Sequence, residues 1–62
     1  MQFKVVTVGG GSSVIEIDRA DLAGGGEDAG WDLATARLHK SGFDVLDWIT
    51  DEDGSRILIV AN

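Results

Sequence analysis

An α+β fold in the order ββαββ, a four-stranded, mainly antiparallel sheet with one helix packed on one face, is predicted by three observations. Four tracts rich in β-branched residues are separated by turn residues, one intervening stretch repeats apolar residues at helical spacing, and short links join the first two and the last two tracts as hairpins. The 62 residues suffice for one domain, 1–62, with one small core; a domain of this size buries only about 60% of the surface its unfolded chain exposes.

The first tract, "FKVVTV" from Phe3 to Val8, stops at Gly9, Gly10, Gly11, Ser12 and Ser13, so it reads as a strand running into a turn. "VIEID" resumes a strand whose Ile15 and Ile17 point one way while Val14, Glu16 and Asp18 point the other. Gly24, Gly25 and Gly26 then interrupt any helix beginning near Ala20. The firm helix spans Glu27 to about Ser41, where Trp31, Ala34 and Leu38 follow the i, i+3, i+7 spacing of a buried stripe that Thr35 and Ser41 extend. Glu27 and Asp28 suit the positive end of its dipole, Arg37, His39 and Lys40 the negative end, and Gly42 the left-handed C-terminal cap.

"FDVLDWIT" and "SRILIVA" form the third and fourth strands, joined by "DEDG", in which Asp and Gly suit a tight turn. Strict alternation along the third strand puts Phe43, Val45, Asp47 and Ile49 under the helix, with Asp47 at a rim, and Asp44, Leu46, Trp48 and Thr50 on the open face. The fourth strand is apolar on both parities, which suits an inner position. On this assignment the open face combines Trp48, Leu46, Leu58 and Val60 with Glu16, Asp18 and Asp44, an apolar patch with an acidic rim.

Composition narrows the function classes. The chain has no Cys, so neither disulfides nor thiolate metal sites supplement packing. No apolar run approaches the roughly 20 residues of a membrane span, and "MQFKVVTVGGG" lacks the pattern of a secretory leader, so the expectation is a soluble, unexported, cytoplasmic protein. Eleven acids against five bases give a formal net charge of −6. That balance disfavours direct nucleic-acid or membrane binding and favours a basic partner.

Motifs that imitate chemistry fail on physical grounds. Gly9, Gly11 and Val14 resemble the start of a dinucleotide fingerprint, but the third glycine is missing and a strand follows where a helix N-terminus is needed. "DEDGS" has alternating acids at Asp51 and Asp53, yet Gly54 comes too early for a calcium loop and the twelfth position is Asn62. His39 is the single histidine and reads as a solvated cation near the helix C-terminus, and Asp28 and Asp32 read as mildly repelling surface charges. The expectation is a non-enzymatic protein with no cofactor, metal or catalytic residues.

The acids themselves are grouped: Glu16, Asp18 and Asp21; Glu27, Asp28 and Asp32; and Asp44, Asp47, Asp51, Glu52 and Asp53, with Trp48 inside the third group. Carboxylates on alternate residues of a strand lie roughly 7 Å apart, about two steps of the 3.4 Å rise per phosphate along one DNA strand. Such an edge suits a groove of Lys and Arg built for nucleic acid, with Trp48 as a contact anchor. The candidate partner-binding residues are therefore Asp44, Asp47, Trp48, Asp51, Glu52, Asp53, Glu16 and Asp18.

A short, acidic, Cys-free chain with "VIEID", one helix "EDAGWDLATARLHKSG" and a closing "DVLDWITDEDGSRILIV" resembles the small phage-encoded anti-CRISPR proteins directed at type I surveillance complexes. The resemblance lies in size, charge and architecture. It implies a non-enzymatic inhibitor in the host bacterial cytoplasm, a monomer that docks on a basic surface of a CRISPR effector complex and blocks target DNA. The basic residues Arg37, His39 and Lys40 depart from a pure DNA mimic. The alternative is a small interaction module that homodimerises through its open sheet face, its acids serving solubility.

Overall fold

In the computed structural model, which describes residues 1–62, the β-branched tracts become β1 (Gln2–Thr7), β2 (Ser12–Glu16), β3 (Asp44–Thr50) and β4 (Arg56–Ala61), and the segment after the glycines becomes α1 (Glu27–Lys40). A short 3-10 turn, Arg19–Leu22, precedes the glycines, with the Asp18 side chain accepting from the Ala20 amide. The sheet order is β2-β1-β4-β3. Both hairpins are antiparallel, and the central β1–β4 pair is parallel, with Lys4 beside Ile57 and Val6 beside Ile59. The strand that is apolar on both parities does occupy an inner position.

α1 lies across one face of the sheet. Trp31, Ala34 and Leu38 bury the predicted stripe against Phe3, Val5, Leu58 and Val60, with Ile17 closing the core at the end of β2. Ser41 does not extend the stripe; it is exposed and caps the helix, and Gly42 follows at φ 92°, a left-handed conformation that glycine adopts without a Cβ clash. Gly30 weakens the first turn by propensity but serves packing. A Cβ there would stand 2.7 Å from Met1 Sδ, the flexible end of that side chain, and at an ordinary 3.4 Å from Phe3 Cζ, so the glycine makes room for the Met1 side chain between α1 and the sheet.

The third strand departs from strict alternation. Val45 pairs with Val60 but Asp47 pairs with Ile59, so a bulge at Leu46 sets two residues against one. Past it the parity inverts. Phe43 and Val45 pack against the core as expected, whereas Trp48 and Thr50, opposite Leu58 and Arg56, now lie on the helix side, and Asp47 and Ile49 move to the open face. Leu58 and Val60, expected on the open face, are fully buried beneath the helix. Asp47 therefore escapes burial, and Trp48 gains a partner on α1.

Candidate interaction surface

β3 is an edge strand, and the bulge places its two acids on one face. Asp44 pairs with Ala61 and Asp47 with Ile59, residues two apart on β4, so the two carboxylates share the open face at roughly 7 Å along the edge. Ile49 comes next on that parity. Asp51, whose amide donates to the Ser55 carbonyl, prolongs the row into the β3–β4 turn, where Glu52 and Asp53 complete the group. All five carboxylates are exposed.

Several are held by the backbone. Asp47 accepts from the Trp48 amide at 2.9 Å, Asp51 from the Glu52 amide at 2.8 Å and Asp53 from the Ser55 amide at 2.9 Å. Each bond fixes a side chain on one oxygen and leaves the other free to accept. Hydrogen bonds from the Ser55 side chain and backbone hold the Asp53 carboxyl below its ordinary value.

None of these five acids is neutralised by a cation. The three ion pairs of the fold join Glu16 to the N-terminal ammonium, Asp21 to Arg37 and Glu27 to Arg56. Arg56 is held on both sides, its Nη2 donating to Glu27 Oε1 at 2.7 Å and its guanidinium lying 5.8 Å from the Phe3 ring centroid. The acidic edge thus has no ion-pair partner within the fold.

Two acids of the second group, Asp28 and Asp32, lie on the same side of the helix as His39. At about 100° per residue, Asp28, Asp32 and His39 fall within about 60° of Thr35, on its side away from Trp31; Thr35 touches β3 through a 3.0 Å bond donated by the Trp48 indole nitrogen. Asp28 and Asp32 therefore flank β3 from above. Alternation in sequence did not show this convergence, which depends on where the helix crosses the sheet.

Trp48 stands at the same edge but not on the open face with Asp44 and Asp47. Its ring stacks on Trp31 with centroids 5.3 Å apart, and 42% of it remains exposed. Glu16 and Asp18 are also separated from the edge. β2 lies three strand spacings from β3, about 14 Å, and there Glu16 meets the N-terminus while Asp18 caps the 3-10 turn. The eight candidate residues thus divide into one cluster of five acids with Trp48 beside it, and two acids at the opposite edge.

The Glu27–Arg56 pair links pH to stability. Hydrogen bonding from Arg56 holds the Glu27 carboxyl below 4.5 in the folded chain, as Ser55 holds Asp53 below 3.8. A depressed carboxylate contributes stability that is present above the unfolded value and lost as pH falls through the folded one. Melting temperature is therefore expected to hold from neutrality down to about pH 5 and then decline. Glu27→Gln should lower the plateau and make the acid decline shallower, checked by thermal melts followed from pH 7 to pH 2; an acid limb identical to that of the parent would contradict the assignment.

No helix is long and apolar enough to cross a membrane. The chain matches no protein-family model, no curated protein and no solved structure.

Proposed function

We propose that this protein is a non-enzymatic inhibitor that presents its β3 edge and β3–β4 turn to the nucleic-acid-binding groove of a basic protein, with a CRISPR surveillance complex as the intended target and the bacterial cytoplasm as the place of action. One observation carries the proposal: Asp44, Asp47, Asp51, Glu52 and Asp53 are gathered at one edge, and none of them is within ion-pair distance of a cation of the fold.

The chemistry is that of phosphate substitution. Arginine forks and lysines that grip a DNA backbone accept carboxylates in its place, and a net charge of −6 steers the encounter. The roughly 7 Å between Asp44 and Asp47 spans about two phosphate steps. Trp48 contributes by tying the edge strand to α1, so that the acids are presented on a supported strand.

The test is capture on an immobilised type I surveillance complex, with target-DNA binding measured alongside. The expected result is capture that weakens steeply with salt and competes with DNA. Capture indifferent to salt, or simultaneous binding of protein and DNA, would overturn the proposal.

A further inference from the structure

We infer that a second copy of this chain covers the open face of the sheet, related to the first by a two-fold axis parallel to the strands. The molecule is a thin slab with Cα extents of 35 × 29 × 15 Å, and its one helix covers one face only. On the other face Val14, Val6, Ile57, Ile59 and Ile49 lie side by side on the four strands, and Val8 follows β1 with 65% of its surface exposed. A strand such as β4, with isoleucines on one face as apolar as the leucine and valine on the other, is typical of sheets covered on both sides.

The pairing register shows why the cover is a second copy. One row across the open face reads Val14, Lys4, Ile57, Ile49, and the next reads Ser12, Val6, Ile59, Asp47. A two-fold axis parallel to the strands lays β2 over β3 of the second copy and β1 over β4. Val14 then meets Ile49, Val6 meets Ile59, and the Lys4 stem lies on Ile57 with its ammonium reaching the rim. Asp47 meets the Ser12 hydroxyl, a donor for its free oxygen. The other in-plane axis, across the strands, sets Asp47 on Ile49, leaving a carboxylate against apolar surface with no donor.

Four strands of about six residues make a face of about 19 by 20 Å, on the order of 400 Å² in projection. Specific interfaces bury about 800 Å² of accessible surface per partner, so this one falls at the weak end and a micromolar dimer is expected. The same axis brings Glu16 toward Asp51 of the second copy, and the two chains repel through their net charge. Salt therefore strengthens the dimer, whereas it weakens capture by a basic partner.

Sedimentation velocity over a range of protein and salt concentrations tests this. The expected result is a dimer at high micromolar concentration whose dissociation constant falls severalfold as salt rises. Ile59→Lys should abolish it while circular dichroism shows the fold retained. Ser12→Lys, at the exposed edge, should tighten it severalfold by facing Asp47 of the second copy. A monomer under all conditions, a dimer unaffected by Ile59→Lys, or a Ser12→Lys variant that dimerises no better would overturn the inference. Capture on the DNA-binding complex responds to salt in the opposite sense; Asp47 and Asp51 lie in both surfaces, but capture is read by competition with DNA and dimerisation by sedimentation of the protein alone, so failure of either proposal leaves the other measurable.

Discussion

Phe3→Ala is expected to remove most of the stability of the fold. The Phe3 side chain is fully buried at the junction of sheet and helix, with its ring edge-on to Trp31 at a centroid separation of 5.1 Å and the Arg56 guanidinium above it. Truncating a core phenylalanine costs about 3–5 kcal/mol, from lost transfer energy and the cavity left behind. At about 0.05–0.15 kcal/mol per residue, a chain of this length has only about 3–9 kcal/mol in total. Urea denaturation followed by circular dichroism should show a sharply lowered midpoint or no folded baseline, while Phe3→Leu retains a cooperative transition. A loss below about 1 kcal/mol would mean that Phe3 is not at the centre of the core.

The second large effect concerns binding. Replacing Asp51, Glu52 and Asp53 together by lysine takes the formal net charge from −6 to zero and sets cations where the basic partner expects anions. Close charge pairs across interfaces couple by about 1.5–7 kcal/mol, so at least a hundredfold loss of affinity is expected. The turn is exposed, and its backbone bonds, Gly54 amide to Asp51 carbonyl and Asp51 amide to Ser55 carbonyl, do not depend on the replaced side chains. The fold should therefore survive. Lysine at Glu16 and Asp18, on the far edge, provides the control: it also reduces net charge but should cost far less per charge removed. Equal losses per charge at the two edges would indicate nonspecific electrostatics and count against a localised surface.

Much of this architecture was legible in the residues. β-branched tracts and turn residues marked the strands, the Trp31, Ala34, Leu38 spacing marked the buried helix stripe, and the doubly apolar "ILIV" marked an inner strand. What escaped was the face of each residue in β3 and β4. In β4 both parities are apolar, so alternation gives no basis for choosing Leu58 and Val60 over Ile57 and Ile59. In β3 no glycine announces the bulge at Leu46, but one sign was present: strict alternation placed Asp47 beneath the helix. A single inserted residue resolves that conflict and draws Trp48 in, a case where local inconsistency points to an irregular backbone. The five-acid cluster was visible as a run in sequence. The placing of Asp44 and Asp47 on one face, the cluster's lack of ion pairs and its distance from Glu16 and Asp18 depend on pairing register, which sequence order alone does not set.

The parallel pairing of β1 with β4 also constrains how the chain is made. Lys4 and Ile57 are neighbours at the centre of the sheet, although almost the whole chain separates them in sequence. A nascent chain emerging from the ribosome carries the first hairpin and the helix before their central support exists, because Arg56–Ala61 follows every other element of the fold in the chain. The helix stripe and Phe3 therefore have no complete platform until β4 has been made. Closing so long a loop makes folding slow for its size, and a truncation before Arg56 would remove an inner strand and leave β1 and β3 without their common partner.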